Sequence, residues 1–268
     1  MPQMQVNGAD IHYEEQGSGP ETIVFAHGYL FSGRMFDAQV AALKDRYRCV
    51  TFDFRGQGQS AITPSGYDMD TLYEDAAALI ATLDCAPCHF AGLSMGGFVG
   101  MRLAARKPEL IRSLILLDTS ADPEPEENVP RYRAMAQAAR LLGLRPLAPR
   151  VMPILFGQTF MKDPAREAER RAWRERLAKN RRTGVIRALA GVIGRRSIYD
   201  EIAKITAPTL VIVGEQDVAT VPAKAQRIAE RIPGARLVTI PDAGHSSPIE
   251  QPVAVTAAIA EFLDSLPS

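Results

Sequence analysis

Short apolar runs alternate with helical segments along the first 117 residues, and that alternation leaves the chain few folds to choose from. Ile11–Glu15, Thr22–Ala26, Arg48–Phe52, His89–Ala91 and Ile111–Leu117 read as strands. Between them lie candidate helices at Met35–Leu43, Thr71–Leu83 and Met95–Arg106, the last stopped by Lys107-Pro108. In the second of these, Leu72, Ala76, Leu79, Ile80 and Leu83 share one helical face. Strands separated by helices form βαβ units, which predict an α/β fold with a mostly parallel sheet and helices on both faces. The alternation resumes after Pro208 with a strand at Thr209–Val213, a helix at Pro222–Arg231, a strand at Arg236–Ile240 and a closing helix at Val253–Leu266.

From Asp122 to Asp200 no strand is legible. Pro123, Pro125 and Pro130 mark an exposed entrance, and Arg131–Leu142, Arg166–Asn180 and Val185–Arg195 are candidate helices, with Pro146, Pro149 and Pro153 as interruptions. The expected division is therefore a core over residues 1–121, a helical insertion over 122–200, and a second part of the core over 201–268. Arginines of the insertion have acidic neighbours, among them Arg166, Glu167, Glu169, Arg170 and Glu175, as expected of a solvated helix surface. Its apolar residues are too many for a surface insert. Met135, Leu141, Leu142, Met152, Ile154, Leu155, Phe156, Phe160 and Met161 are expected to cover the core, some lining a pocket beneath.

A chain of 268 residues with 46% hydrophobic residues can bury one large core. A formal net charge of zero argues against a nucleic-acid partner, which calls for a clustered basic surface. The opening Met1-Pro2-Gln3-Met4-Gln5 has neither a basic start nor an apolar stretch, so no signal peptide is expected. No run approaches the roughly 18 apolar residues of a membrane span. Three cysteines, an odd number, fit a reducing cytoplasm. Cys85-Ala86-Pro87-Cys88 has no second pair to complete a four-ligand zinc site, and reads as a loop before a strand.

Gly92-Leu93-Ser94-Met95-Gly96-Gly97 is a G-x-S-x-G pattern placed between a strand and a helix. A serine on that sharp turn is raised above the sheet edge, where its hydroxyl can attack a substrate. Such a hydroxyl needs a base, and the chain has four histidines. His12 sits mid-strand and reads as structural. His27 precedes Gly28 at a strand end, where backbone geometry is its expected contribution. His89 begins the strand leading to Ser94, a strand length away from the turn. His245, in the loop Pro241-Asp242-Ala243-Gly244-His245 after the last strand, lies at the sheet edge where parallel sheets carry their functional loops. The imidazole needs an orienting carboxylate. Asp217 follows the penultimate strand at the same edge and is preferred over Asp118 and Glu215; Asp118 is expected to bond to nearby backbone amides.

The order Ser94, Asp217, His245 is that of α/β-hydrolases rather than of chymotrypsin or subtilisin. The chain resembles that superfamily over essentially its full length, through Ala26-His27-Gly28-Tyr29, Asp53-Phe54-Arg55-Gly56-Gln57-Gly58-Gln59-Ser60, Gly92–Gly97, Gly214–Asp217 and Gly244-His245. Around the elbow it is similar to bacterial carboxylesterases and 3-oxoadipate enol-lactonases, and the Asp53–Ser60 loop is shared with cofactor-free perhydrolases. The resemblance implies the α/β-hydrolase fold, with an eight-stranded, mostly parallel sheet and a helical cap at the insertion. It implies an oxyanion hole made by the backbone N–H groups of Tyr29 and Met95. It gives Asp53 and Arg55 a structural part, and needs no metal or organic cofactor. The lipase-style run of glycines is absent, which disfavours bulky alcohols.

The expected activity is cleavage of small, fairly apolar carboxylic esters through an acyl-enzyme. Lactone opening, peracid formation, C–C hydrolysis and slow-turnover ligand sensing are the alternatives. The expected partner is a small-molecule ester or lactone, with neither nucleic acid nor membrane. A fluorophosphonate probe is expected to modify Ser94; peptide mass spectrometry that finds the label elsewhere rejects this nucleophile.

Overall fold

The computed structural model describes residues 2–267; Met1 and Ser268, which the expected core segments included, lie outside the described residues. The chain runs β1 (Gln3–Val6), β2 (Ala9–Gln16), β3 (Thr22–Ala26), α1 (Asp37–Leu43), β4 (Arg48–Phe52), α2 (Met69–Thr82), β5 (Cys88–Leu93), α3 (Met95–Arg106) and β6 (Ile111–Leu117). Five helices follow without a strand: α4 (Val129–Leu142), α5 (Ala148–Leu155), α6 (Gln158–Lys162), α7 (Glu167–Ala178) and α8 (Arg182–Ile193). The sheet is then completed by β7 (Thr209–Gly214), α9 (Pro222–Arg231) and β8 (Arg236–Ile240), and the chain closes with α10 (Ser247–Glu250) and α11 (Pro252–Asp264).

Eight strands pair in the order β1-β2-β4-β3-β5-β6-β7-β8. β2 pairs antiparallel with β1 and with β4, and every other pairing is parallel. The expected α/β-hydrolase fold is therefore what forms. Strands β3, β5 and β7 are buried along their whole lengths, as parallel strands covered on both faces must be. Side chains alternate between two cores. Val24 and Ala26 of β3 point to α2 and α3, beside Leu72, Ala76 and Val99. Ile23 and Phe25 point to the opposite core with Val40 of α1 and Ile259 and Phe262 of α11. Because parallel strands share a direction, the loops after β3, β5, β6, β7 and β8 all open on one edge.

Several elements differ from expectation for identifiable reasons. β1 was not anticipated; it is four residues long with one buried side chain, too short for a periodic signal. The helix expected at Met35 begins as a 3-10 turn, Gly33–Phe36, before α1. Prolines do not interrupt α5. Pro149 occupies its first turn, where N–H groups have no helical partner, and Pro153 forfeits only the bond to that first turn. Leu141 and Leu142 cover nothing: at the end of α4 they are 82% and 66% exposed. Met152, Phe156 and Phe160 do join the α1/α11 core. The entrance and exit of the helical segment are tied where the Ile198 N–H donates to the Ala121 carbonyl at 3.0 Å.

Helix α3 lies so close to β3 that a Cβ on Gly96 would collide with the carbonyl of Ala26. Gly96→Ala is therefore expected to lower unfolding stability by about 1–3 kcal/mol, the usual cost of overpacking. Equilibrium denaturation measures this, and an unchanged midpoint contradicts it.

Candidate active site

The turn between β5 and α3 holds Ser94 at φ 51° and ψ −108°, a strained left-handed conformation for a non-glycine residue. Its backbone is fixed from three sides. The Ser94 N–H donates to Leu117 O at 2.9 Å, and the Ser94 carbonyl accepts from Phe98 N–H at 3.0 Å and from the Thr119 hydroxyl at 2.8 Å. The side chain faces a cavity that His245 also lines.

His245 follows β8, and Asp217 follows β7, two neighbouring strands. The Nδ1–H of His245 donates to Asp217 Oδ2 at 2.9 Å. Three further donors hold that carboxylate. The Thr220 hydroxyl gives to Oδ2 at 2.7 Å, and the N–H groups of Ala219 and Thr220 give to Oδ1 at 2.8 and 3.0 Å. With Nδ1 engaged, Nε2 is the ring nitrogen left for chemistry; it has no hydrogen-bond partner among the described residues. The structure thus brings Ser94, Asp217 and His245 to one edge, and leaves Glu215 exposed outside the cluster.

Burial alone would depress the His245 pKa, but the charge and hydrogen bond of Asp217, with the charges of Asp118 and Glu250, outweigh it and raise the pKa above the ordinary 6.5. Burial pushes the Asp217 carboxyl up; the His245 charge and hydrogen bond and the Thr220 bonds bring it below the ordinary range. Asp118 behaves as expected of a residue bonded to backbone amides. Fully buried at φ 45°, it accepts from Gly214 N–H at 2.8 Å, and from the Ser247 hydroxyl and N–H at 2.6 and 3.3 Å. Burial first, then the Asp217 charge, raise its pKa well above that of a free carboxyl.

Glu250 was not anticipated. Buried in α10, it accepts from the N–H groups of Gly244 (3.0 Å), Ser246 (3.1 Å) and, across from the helical segment, Gly157 (2.8 Å). No local signal marked it: the N-cap of α10 is Ser246, four residues before Glu250 and so one residue off the capping-box spacing. Thr220 was also missed; only proximity in space marks it.

The turn after β3 carries Gly28 and Tyr29 into the same cavity. His27 contributes its side chain, contrary to expectation. Its Nδ1–H donates to Gly28 O at 2.7 Å and its Nε2 accepts from Phe54 N–H at 2.9 Å. Burial lowers its pKa, in keeping with a neutral ring. The Leu30 N–H donates to Gln57 Oε1 at 2.8 Å. Among the described residues the N–H groups of Tyr29 and Met95, the latter opening α3, donate to no other group of the chain. Asp53 accepts from Gly33 and Gln59 N–H, each at 2.8 Å, and Arg55 pairs with buried Asp75. Both brace the loop, as expected. His12 and His89 are buried beside Asp53 and Ser113 respectively, away from the cavity.

The cavity walls are mostly apolar. Phe98, Met135, Val151, Ile154 and Leu189 line it, four of them from the helical segment, together with an ion pair between Arg195 and Glu124. Arg166 and Arg171 pair with acidic neighbours on helix faces, but Arg195, at the end of the helix expected over Val185–Arg195, is buried. Among the described residues no three His, Cys, Asp or Glu side chains cluster to hold a metal ion, and no helix is long and apolar enough to cross a membrane. Cys49, Cys85 and Cys88 are free and buried.

A serine on a strand–turn–helix elbow, facing a carboxylate-bound histidine across an open sheet edge, defines the α/β-hydrolase class. The chain belongs to the alpha/beta hydrolase family, whose model matches residues 23–259. A putative non-heme bromoperoxidase of Mycobacterium tuberculosis is 31% identical over 96% of this chain and 98% of its own. The enol-lactonase of Burkholderia xenovorans superposes with a TM-score of 0.91 at 33% identity, covering 98% of this chain and 100% of its own. A thermophilic esterase from Thermogutta terrifontis gives 0.91 at 30% identity, with 98% of each chain covered.

In a nuclear magnetic resonance titration the His245 imidazole is expected to protonate at a midpoint above 6.5. Asp217→Asn is expected to bring that midpoint down. A midpoint that Asp217→Asn leaves in place would show that the partner is not Asp217.

Proposed function

We propose that the protein is a serine hydrolase of small, fairly apolar carboxylic esters, working through an acyl-enzyme. The observation that carries this reading is the Asp217–His245 hydrogen bond, which leaves Nε2 as the ring's available base in the cavity that holds Ser94. In the proposed reaction Nε2 takes the Ser94 proton as Oγ attacks the acyl carbonyl. The Tyr29 and Met95 N–H groups receive the oxyanion, each such donor contributing about 3 kcal/mol. The imidazolium, stabilised by Asp217, gives its proton to the leaving alcohol. Water activated by the same nitrogen then releases the acid.

Residues 122–200 act as a cap in this reading, since Tyr132, Met135, Val151 and Ile154 close over the Ser94 cavity. The apolar walls support ester substrates without a charged tail. Lactones are the second reading, supported by the likeness to the B. xenovorans enol-lactonase. We place the activity in the cytoplasm as part of the same proposal, in keeping with three free cysteines.

Ser94→Ala is expected to lower phenyl acetate turnover by about 10⁶-fold. Asp217→Asn is expected to lower kcat by roughly 10⁴-fold, and Asp118→Asn by far less. Steady-state kinetics on the three variants decides. Activity retained in Ser94→Ala sinks the mechanism, and a larger loss in Asp118→Asn moves the acid to the loop after β6.

A further inference from the structure

The Arg195–Glu124 pair is an anomaly in an apolar cavity. Arg195 follows α8, and Glu124 lies between β6 and α4, so the pair closes the roof where the helical segment leaves and rejoins the sheet. Their side chains are 5% and 10% exposed. Glu124 Oε2 accepts from Arg195 Nη1 at 2.8 Å, and Oε1 accepts from Asn128 at 3.0 Å. The guanidinium is held on two more sides. Nε donates to Asp122 O at 3.1 Å and Nη1 to Val192 O at 2.9 Å. Its carbon stands 4.5 Å from the Phe98 ring centroid, so the cation also rests on an aromatic face.

A guanidinium has five N–H donors. Here Nε and Nη1 are engaged, whereas Nη2 has no partner among the described residues. Nη2 is not one of the sealed orphan atoms, which among the described side chains are Gln39 Oε1 and Ser246 Oγ. Arg195 lines the cavity that Ser94 faces. Arg195 therefore brings to a mostly apolar pocket a guanidinium whose Nη2 carries two N–H donors without a partner among the described residues. Phe98 lies about 6 Å of helix rise beyond Ser94, and the guanidinium stacks on its ring. The guanidinium thus rests on a residue one helical turn along α3 from the Ser94 elbow.

We propose that Arg195 is a specificity-determining residue, which through Nη2 selects ester substrates bearing a neutral oxygen acceptor, such as a ketone, at the far end of an otherwise apolar acyl chain. The proposal rests on the serine hydrolase reading for its reacting group. A carboxylate tail is disfavoured because Glu124 already neutralises the guanidinium and itself lines the cavity. A further anion there would meet like charge in a poorly solvated site. An alkyl tail leaves Nη2 without a partner, and hydrogen bonds to charged groups are the ones most costly to leave unmade.

Three phenyl esters of matched reach test this: 5-oxohexanoate, 5-methylhexanoate and the glutarate half-ester. The readout is the ratio of kcat/KM between esters within each variant, so a general loss of activity cancels. The wild-type protein is expected to prefer the ketone over its methyl counterpart by about 10-fold. The double variant Arg195→Met with Glu124→Gln removes both charges together, leaving no unpaired ion, and is expected to abolish that preference. Glu124→Gln alone leaves the guanidinium uncompensated and is expected to raise the half-ester at least 10-fold relative to the methyl ester. A ketone preference that persists in the double variant overturns the proposal, as does a half-ester ratio that Glu124→Gln leaves unmoved.

Phenyl acetate, too short to reach Arg195, is run in parallel on wild type and Ser94→Ala. If it is not hydrolysed, the serine hydrolase reading fails by itself. Competitive binding of free 5-methylhexanoic amide against 5-oxohexanoic amide, followed by calorimetry in the same variants, then scores Arg195 without turnover. Equal binding of the two amides in wild type rejects the proposal.

Discussion

The site depends on a loop that cannot hold itself. Residues 241–246 join β8 to α10 with neither helix nor strand, yet they carry a buried imidazole. Three buried carboxylates surround that loop, each from a different part of the chain. Asp217, after β7, bonds the imidazole. Asp118, after β6, bonds Ser247 and Gly214. Glu250, in α10, gathers the amides of Gly244, Ser246 and Gly157. Buried polar groups left unpaired cost about 1–3 kcal/mol each, so each of these bonds constrains where the loop can lie. Although burial alone would lower the imidazole's pKa, the charge and hydrogen bond of Asp217, with the charges of Asp118 and Glu250, raise it above its ordinary value.

The Ser94 side of the cavity is held by shape rather than charge. α3 packs against β3 through Gly96, and that approach sets how sharply the chain turns at Ser94. His27 performs the equivalent task for the turn after β3. As a neutral ring it bonds both Gly28 and Phe54, and so joins the loops after β3 and β4. The backbone groups facing the cavity are therefore positioned by side chains that never enter it.

The parallel core was legible because its signals are local and repeated. β3, β4, α3, β6, α9 and β8 have the boundaries their apolar runs and flanking prolines or glycines imply. β1 was not, because four residues with one buried side chain carry no period. Ser94, His245 and Asp217 could be singled out because few residues of each kind occupy loops at the right sheet edge. The supporting residues could not. Glu250 and Thr220 matter only through neighbours that lie next to them after folding. The arginines of the helical segment look alike in sequence, yet Arg195 is buried against Glu124 and Phe98 while Arg171 stands in solvent. Leu141 and Leu142 erred in the opposite direction, since apolar composition does not reveal which turn of a helix faces inward.

Glu250 Oε2 is shared between the amides of Gly157 and Gly244, one in the helical segment and one beside the imidazole. The roof of the cavity is therefore hinged to the floor at one corner. Its far wall, built from α4 and α8, bears no such tether to the histidine loop. Sequence drift along that wall can remodel what the cavity admits while the corner at Gly157 keeps the imidazole in register. A scaffold divided in this way can change its diet without relearning its chemistry.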